Sequence, residues 1–600
     1  MNKAAVAFAV LALAGSARAQ VTQRVSVSSQ GVPGDFPSGS FRPNSVSMSA
    51  DGRYVAFDSE AHNLVSGDTN AAGDIFVRDR WNGTTERVSV DSAGVQGNGF
   101  SFSPSISADG RYVAFHSSAS NLVVGDTNGF TDVFVHDRQS GTTERVSIDS
   151  GGTQGNWESG LPSISADGRY VAFESEARNL VVGDSNGHWD IFVHDRQTGA
   201  TERVSVDTNG SQVNGDSYLP AISADGRFVA FGSFASDLVS GDTNGVPDIF
   251  VRDRLNHTTQ RVSVSNNGVQ GDGDSYGPSI SADGHFVAFW SYATNLVAGD
   301  TNGVPDDFVR DLWNGQTRRV SIASGGAQAN NACYYSSISA DGRYVAFSSL
   351  ADNLVGGDFN GYYDVFIHDR QTGVTDRMSV SSTGGEGDDD SGTNGISISA
   401  DGRYTAFDSA GNLLVPGDTN GIWDVFVHDR TASGFTSLCD PGVGGVNACP
   451  CANPPGGSGR GCDNSAATGG AILSASGIAY LSMDSLVFTT SGEMPTATSI
   501  LLQGTASSPA GIVYGQGVRC VGGLLKRLFT KSAAAGSITA PDFGAGDPTV
   551  SARSAAKGDV IQAGQSRWYL VYYRDPNVLG GCPASSTFNA TQTGQIAWSL

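Results

Sequence analysis

Basic residues are scarce in this chain of 600 residues. Lys and Arg number 36 against 60 Asp and Glu, which gives a formal net charge of −24 at pH 7. A surface of that sign repels phosphate backbones and anionic membranes, so the sequence excludes nucleic acid as a partner. The same charge suits the binding of cations, or serves only to keep an exported protein in solution.

Long hydrophobic runs are confined to the first residues. Residues 1–19 begin with Asn2 and Lys3, continue as an apolar run and end in small residues, which is the form of a secretory signal peptide. No later run approaches the roughly 18 apolar residues that a membrane-spanning helix needs, so we expect no membrane insertion. We predict a secreted, periplasmic or cell-surface protein, with its oligomeric state left open.

Cysteine is nearly absent before residue 439. Cys333 stands alone in the repeats and is expected to be a small buried residue. The six later cysteines, in an exported chain, indicate a disulfide framework whose pairing the sequence does not rank. A zinc site is the alternative, although the Cys-x-Cys spacing lacks the two-residue gap of a zinc knuckle. The six are Cys439, Cys449, Cys451, Cys462, Cys520 and Cys582.

Helical periodicity is missing from residues 20–438, and a repeat takes its place. Asp-Gly turn markers recur at intervals of 58, 58, 58, 58, 58 and 60 residues, at Asp51, Asp109, Asp167, Asp225, Asp283, Asp341 and Asp401. Each unit holds four short alternating runs between Gly turns, which is typical of one antiparallel propeller blade. In the second unit, strands are predicted at 104–107, 111–115, 133–137 and 143–148.

The two ends of the repeat region complement each other. Gln23–Ser28 copies the fourth strand of a unit but has no first three strands before it, whereas the seventh unit ends in a stretch (431–438) that lacks that strand. We predict that the N-terminal strand completes the seventh blade and covers a free edge. The predicted domains are a signal peptide (1–19), a seven-bladed all-β propeller (20–438) and a disulfide-bonded β-sandwich (439–600) with strands at 499–503, 511–514 and 568–573.

The repeat pattern resembles a known family. Motifs such as "SADGRYVAF" followed by "DIFVHDRQTGATERVSV" are similar to the WD-repeat-like propeller repeats of the TolB family. The resemblance implies a β-propeller over residues 20–438, with seven units where TolB itself has six blades. Propellers of this type act as protein-binding platforms, carbohydrate-associated modules and enzyme gates, so the fold alone assigns no activity. The segment after residue 438 resembles a Cys-rich C-terminal module of large secreted bacterial proteins.

An acidic loop motif recurs in all seven units, as in "GDTNGVPD" (241–248). It is either a tight Asn-Gly turn that needs no ion, or a weak Ca²⁺ site with oxygen ligands at alternate positions. The first unit, "GDTNAAGD" (67–74), loses the Gly but keeps the oxygen-bearing residues, which favours coordination. The candidate calcium ligands are Asp68, Asn70, Asp74, Asp126, Asn128, Asp132, Asp184, Asn186, Asp190, Asp242, Asn244, Asp248, Asp300, Asn302, Asp306, Asp358, Asn360, Asp364, Asp418, Asn420 and Asp424.

No catalytic constellation stands out in the sequence. The notable polar residues recur in every unit, and the Gly-x-Ser-x-Gly elbow of serine hydrolases is missing. The His of the "HDR" motif alternates with Arg, as expected of a solvent-facing strand end. We therefore expect a non-catalytic binding or adhesion protein. The alternative is a glycoside-acting hydrolase or lyase whose carboxylate pair comes from distant loops.

The predicted binding face carries the long loops. Asp-Gly and Ser/Thr-Gly turns share one side of the ring, whereas the acidic loops and connections such as residues 91–103 share the other. Aromatic residues vary on the second side. They either stack on a carbohydrate or protein partner or cap the blade cores. The candidate ligand-binding residues are Trp157, Tyr218, Tyr276 and Tyr334.

Overall fold

The computed structural model divides into two compact units. One is Thr22–Arg430, and the other contains Thr431–Leu600. The described residues are 21–39, 43–382, 384–430, 436–437, 441, 446–451, 453–456, 460–476, 486–514, 516–542, 545–562, 565–575, 577 and 587–598. The predicted signal peptide, Cys439 and Cys582 lie outside them. Within the described residues no helix has the length and apolar character to cross a membrane.

Seven four-stranded antiparallel sheets form the first unit, as the repeat predicts. The first strand, β1 (Val21–Arg24), precedes blade 1 (β2 Val46–Met48, β3 Tyr54–Ser59, β4 Asp74–Asp79, β5 Thr84–Arg87), blade 2 (β6 Ser101–Ile106, β7 Tyr112–Ser117, β8 Asp132–Asp137, β9 Thr142–Arg145) and blade 3 (β10 Ser159–Ile164, β11 Tyr170–Ser175, β12 Asp190–Asp195, β13 Ala200–Arg203). Blade 4 (β14 Ser217–Ile222, β15 Phe228–Ser233, β16 Asp248–Asp253, β17 Thr258–Arg261), blade 5 (β18 Ser275–Ile280, β19 Phe286–Ser291, β20 Asp306–Asp311, β21 Gln316–Arg319), blade 6 (β22 Cys333–Ile338, β23 Tyr344–Ser349, β24 Asp364–Asp369, β25 Val374–Arg377) and blade 7 (β26 Ser391–Ile398, β27 Tyr404–Ser409, β28 Asp424–Asp429) follow. The predicted seven-bladed propeller is confirmed.

The N-terminal strand closes the ring. Sheet order β1-β28-β27-β26 makes β1 the fourth strand of blade 7. It begins at Val21, before the predicted Gln23, and its pairing continues past Arg24, where the Val25 N–H donates to the Val425 carbonyl over 2.8 Å. A second circuit runs along the Asp-Gly turns, where an alanine N–H of each blade donates to the matching carbonyl of the next at 2.9–3.1 Å. Its last bond joins Ala400 to Ala50.

The repeated residues pack one blade against the next. Gly226, in the Asp-Gly turn of blade 4, has a φ of +74°. A Cβ there would lie 2.2 Å from the Tyr170 ring of blade 3. The guanidinium of Arg254 covers that ring at 4.6 Å. The "SADG", aromatic and "DR" parts of the repeat are therefore contacts between neighbouring blades.

The histidines of the "HDR" motif are buried, which corrects their predicted solvent-facing position. Nδ1 of His136 pairs with the Thr143 hydroxyl at 2.8 Å, and burial lowers the pKa of this imidazole. Arg78, at the same place in blade 1, donates to the Thr85 hydroxyl over 3.0 Å. His and Arg exchange because both reach the threonine of the fourth strand. The histidines are His136, His194, His368 and His428, each at most 6% exposed.

The second unit contains two sheets and a short helix. Its elements are β29 Thr436–Ser437, β30 Ile472–Ser476, β31 Val487–Ser491, β32 Thr498–Tyr514, β33 Gly517–Ser532, β34 Thr539–Ala540, α1 Val550–Ala556, β35 Ser566–Arg574, β36 Phe588–Ala590 and β37 Gly594–Ala597. One sheet runs β29-β37-β35-β32-β33 with β36 beside β35, and the other runs β30-β31-β34. Leu473 and Phe488 of the small sheet share a core with Leu501 and Tyr569 of the large one, as in the predicted β-sandwich.

Two details of this unit refine the sequence analysis. The runs predicted as separate strands at 499–503 and 511–514 belong to β32, which stays paired with β33 through three register shifts. Cys449 and Cys462 form a disulfide, and Cys451 and Cys520 are disulfide-bonded as well. Cys333, in the propeller, is free and buried as predicted.

Candidate functional site at the channel mouth

Each of the seven acidic loops is closed by an arginine. In blade 4, Nη1 of Arg261 lies 3.1 Å from Asp242 Oδ1 and 2.9 Å from Asp248 Oδ2. The Asn244 amide N–H₂ donates to Asp248, and its oxygen accepts the N–H of Val246. The arginines are Arg24, Arg87, Arg145, Arg203, Arg261, Arg319 and Arg377. Arg24 comes from β1, so the loop of blade 7 depends on ring closure.

The guanidinium holds the carboxylates that would bind the predicted calcium ion. In the first unit Arg87 lies 3.1 Å from both Asp68 and Asp74, while Ala71 adopts the left-handed φ of +53°. The arginine thus gives a second reason why the acids persist there without the Gly. Within the described residues no group of three or more His, Cys, Asp or Glu is arranged to hold a metal. Calcium at these loops stays a prediction, and an ion must displace an arginine.

The long-loop face opens into the central channel. In antiparallel blades the first-to-second and third-to-fourth strand turns share one face, so the acidic loops and the blade connections share the opposite face. A cavity of about 410 Å³ lies on the axis and is lined by the first strands of all seven blades. Asn44 of blade 1, Leu219 of blade 4 and Asn394 of blade 7 belong to this lining. We call this end the channel mouth.

Blades 4, 5 and 6 give the mouth an aromatic arc. Tyr218, Tyr276 and Tyr334 lie on the first strands of these blades, and Trp290 stands opposite Tyr276 across the β18–β19 pair. The rings of Tyr276 and Trp290 are 4.8 Å apart, and those of Trp290 and Tyr334 are 5.0 Å apart. Tyr218 joins the arc through Tyr276 at 6.1 Å. Burial raises the pKa of Tyr276 to about 12, helped by its hydrogen bond to Asp274.

The predicted aromatic set is only partly brought together. Trp157 does not join the arc: it is 46% exposed and packs on Phe130 at 4.8 Å. Trp290 and Tyr335, which line the cavity, were missed by sequence reasoning. A signal for Trp290 was present, since it occupies the most variable position of the repeated run "YVAFxS", where the seven units carry Asp, His, Glu, Gly, Trp, Ser and Asp.

Blades 7, 1, 2 and 3 give the mouth a polar arc at that same position. The residues there, from blade 1 to blade 7, are Asp58, His116, Glu174, Gly232, Trp290, Ser348 and Asp408. Carboxyl groups and a histidine therefore fall in adjacent blades, opposite the aromatic arc. The mouth is asymmetric although the blades that build it are nearly identical.

The carboxyl groups of this arc are buried. Burial raises the pKa of Asp58 to about 8, against backbone amides of Ser103 and Gly39 and with help from the charge of Asp408. These amide contacts are weak, since neither carboxyl oxygen of Asp58 accepts a hydrogen bond of ordinary geometry within the described residues. Asp408 accepts the N–H of Gly395 at 2.8 Å and of Asn394 at 3.2 Å, yet burial raises the pKa of this carboxyl to about 6.

Glu174 is the carboxyl group of the arc that is less than fully enclosed. Its Oε2 accepts the N–H of Leu219, on the next blade, at 3.0 Å. Burial raises the pKa of Glu174 to about 7 against that single bond. The first strands contain non-glycine residues with left-handed φ, namely Ser103 (+49°), Leu161 (+44°), Leu219 (+52°) and Tyr335 (+60°). Strained backbone of this kind clusters at functional sites.

The comparisons with known proteins concern the fold. No protein family model matches the sequence, and no curated protein matches it. An oligogalacturonate lyase in complex with manganese is 13% identical with a TM-score of 0.43, covering 68% of this chain and 92% of the lyase. A TolB of Agrobacterium tumefaciens is 14% identical with a TM-score of 0.31, covering 58% and 94%. A prolyl endopeptidase structure is 11% identical with a TM-score of 0.40, covering 77% and 57%.

The prediction of a non-catalytic protein is corrected by these findings. Propellers of this fold occur in enzymes, including a lyase and a peptidase, as well as in TolB. The prediction also assumed that polar residues recur in every unit, and the mouth departs from that symmetry at Asp58, Glu174 and Asp408. The predicted TolB-like propeller fold is confirmed. At this similarity the comparisons show the fold alone.

Proposed function

We propose that the protein binds a glycan chain at the channel mouth and acts on its glycosidic bonds. The observation that carries this proposal is the division of one mouth into an aromatic arc and a carboxyl arc. Aromatic faces stack on the apolar faces of sugar rings, and a carboxyl group with a pKa near neutrality transfers protons to a glycosidic oxygen. The propeller (20–438) carries the site in this proposal.

Glu174 is the group to which we assign proton transfer. Its side chain is largely buried but not fully enclosed, and its pKa of about 7 leaves both protonation states populated near neutral pH. Its bond from Leu219, which lines the cavity, fixes one oxygen, and in this proposal the second oxygen reaches the substrate past that lining. Asp58 and Asp408 are more deeply enclosed, so we assign them no contact with the substrate and propose that they influence the electrostatic potential at the site.

Location and attachment complete the proposal. We propose that the protein works outside the cytoplasm, because disulfides such as Cys449–Cys462 persist in oxidising compartments. The apolar residues at the start of the chain support export. The disulfide-bonded module (439–600) then serves in surface attachment or in contact with a partner, apart from the chemistry.

Binding is tested by calorimetry with neutral oligosaccharides on the wild type and on Trp290→Ala. We expect a loss of about tenfold in affinity, because one stacking platform is removed. Trp313→Ala is the matched control: it removes an indole that is 70% exposed in a short turn on the opposite face. Equal affinity in Trp290→Ala and the wild type contradicts the proposed site.

Activity is tested by the release of reducing ends. Glu174→Gln keeps an acceptor for the Leu219 N–H but cannot transfer a proton. We expect this variant to bind oligosaccharides as the wild type does and to lose at least about a hundredfold in rate. Unchanged turnover in Glu174→Gln contradicts its assigned role.

A further inference from the structure

Blade 5 carries a carboxyl group where the other blades carry a hydrocarbon. Asp307 is the second residue of β20 and is fully buried, and neither of its oxygens has a hydrogen-bond partner among the described residues. A buried carboxylate without a partner opposes folding. The equivalent residues are Ile75, Val133, Ile191, Ile249, Val365 and Val425. Asp307 therefore lowers the stability of blade 5 relative to a hydrocarbon side chain. We infer that it is retained because it contributes to ligand binding.

Asp307 lies directly behind the aromatic arc. The β19–β20 register sets it opposite Trp290, so both side chains stand on the same face of the blade. Burial raises the pKa of Asp307 well above its usual range, and the nearby hydroxyl of Ser336, on blade 6, opposes that rise through a contact that lacks the geometry of a full hydrogen bond. Ser336 lines the cavity, and its hydroxyl has no hydrogen-bond partner among the described residues.

The lining of the cavity favours cations over anions. None of its described lining residues is charged, while carboxyl groups stand one layer behind: Glu174 at Leu219, Asp408 at Asn394 and Gly395, and Asp307 beside Ser336. The faces of Trp290 and Tyr276 add the negative potential of aromatic rings. Because burial raises the pKa of Asp307, a protonated amine bound beside Ser336 favours the ionised form of this carboxyl group and gains that attraction together with the attraction of the ring faces. A carboxylate on a ligand gains neither, and the ring faces repel it.

We propose that the channel mouth selects glycans that carry a protonated amino group, held against Trp290 and Ser336 in front of Asp307. The inference rests on the proposed glycan-binding function and narrows its substrate class to amino sugars without the N-acetyl group. It disfavours polyuronates, whose carboxylates face the negative potential of the aromatic rings and keep Asp307 protonated.

The test is calorimetry of the full chain with four tetrasaccharides of matched length: glucosamine, N-acetylglucosamine, glucose and galacturonic acid. We expect the glucosamine tetramer to bind about tenfold more tightly than the acetylated and glucose tetramers, and the galacturonate tetramer to bind least. Asp307→Val, which installs the residue of blades 2, 6 and 7, is expected to bring the glucosamine and glucose tetramers within about twofold of each other. Asp307→Asn keeps the shape without the charge and is expected to behave in the same way.

Controls separate this site from general attraction to an acidic protein. Asp283→Asn removes the same charge from blade 5 at its short turn and is expected to leave the preference intact. A preference for glucosamine that survives both Asp307→Val and Trp290→Ala overturns the proposal, since it then comes from the surface at large. Equal binding of the glucosamine and glucose tetramers overturns this inference alone, whereas failure of all four to bind overturns the proposed function with it.

Discussion

The two faces of the propeller use the same repeat in different ways. On the short-turn face every blade presents the same turn, and Gly226 and its counterparts meet the aromatic ring of the preceding blade. On the long-loop face the frame is just as regular, because an arginine of the fourth strand closes each acidic loop, but the fifth position of the second strand changes from blade to blade. Asp58, Glu174 and Trp290 occupy that position. The repeated residues therefore make the contacts that stabilise the ring, whereas the residues that differ between blades set the chemistry of the channel mouth.

Within the mouth, the departures are grouped and not scattered. At the changing position of the second strand, carboxyl groups lie in blades 7, 1 and 3, whereas the tyrosines of the first strands lie in blades 4, 5 and 6. Phe102, which packs on His116 in blade 2, is an aromatic residue outside that group. A ring of seven equal blades has no such polarity of its own. A ligand with a flat apolar face and polar edges can contact the aromatic side of the mouth with its face and the carboxyl side with its edges. Variants at repeated and at changing positions test this contrast.

The largest effect is expected from removing an arginine of the repeated frame. Arg261→Met leaves Asp242 and Asp248 facing each other, and their side chains are 3% and 0% exposed. Breaking a buried ion pair by removing one partner destabilises by about 4 kcal/mol. Urea denaturation measures this loss. The control is Glu202→Gln, which breaks an outer pair whose Glu is 46% exposed and is expected to change stability by less than about 1 kcal/mol.

A smaller loss is expected at the short-turn glycines. Gly226→Ala forces a Cβ to within 2.2 Å of Tyr170 at a left-handed φ, so strain and overpacking add to about 3 kcal/mol. Gly210→Ala is the matched control, because its φ of +81° is equally left-handed but its Cβ would meet nothing within 4 Å. That control is expected to cost about 1 kcal/mol. Equal losses in the two variants would show that blade contacts contribute nothing at this turn.

The polar arc predicts a pH dependence with a definite sign. The folded pKa values of about 8 for Asp58, about 7 for Glu174 and about 6 for Asp408 lie above the unfolded values near 4. The folded state therefore binds more protons between pH 4 and 8, and the free energy of unfolding falls as the pH rises through that window. Asp58→Asn is expected to reduce the fall between pH 6 and 8 by about 2 kcal/mol.

Urea denaturation at several pH values measures that change. Asp283→Asn, at an exposed turn, is the control and is expected to keep the wild-type slope. Groups with lowered pKa, such as Asp79 and Asp253 at about 2, lose their contribution below pH 4 and do not disturb the window. If the free energy of unfolding of Asp58→Asn falls with pH as steeply as that of the wild type, burial does not raise the pKa of Asp58.

Much of the propeller could be predicted from the sequence because its contacts are local and repeated. The period, the blade count and the closing strand follow from copies of one unit, since Gln23–Ser28 had to pair where a copy was missing. The mouth was missed for the same reason. Repeated residues such as Asp242 were predicted as candidate ligands because they recur in every unit. Asp58 and Trp290 differ from their counterparts in the other units, so the repeat pattern did not identify them. Their meaning depends on which blades are adjacent, and no single unit contains that information.

Two buried contacts could not be predicted from the sequence. His136 and Arg78 looked interchangeable and therefore exposed, but both fill one buried position and reach the same threonine. Arg261 lies in the fourth strand, 13 residues from Asp248, and sequence spacing gave no sign that they meet. An ion site and an arginine-closed loop place the same oxygen-bearing residues in order. The two arrangements differ only in the group that lies between the carboxylates, which is a metal ion in one and an arginine side chain in the other.

The smallest expected effect is the response to calcium, and it separates those two interpretations. At fixed high ionic strength, which suppresses the general relief of charge repulsion, we expect calcium and magnesium to change the melting temperature of the wild type equally, because arginine already neutralises each acidic loop. Arg261→Gln opens one loop. There, calcium at a concentration equal to its dissociation constant is expected to add about 0.4 kcal/mol over the same concentration of magnesium, which gives up its water reluctantly.

A larger, calcium-specific rise in the wild type would favour the ion over the arginine. It is then checked in a variant with the first Asp of all seven loops changed to Asn, which keeps the turn acceptor while weakening an ion site. Loss of the response there would assign calcium to the loops, with Arg261 and its counterparts displaced. Persistence of the response would place the ion elsewhere. In that case the repeated acids serve the arginines alone, and the long-loop face owes its chemistry to the few positions where the blades differ.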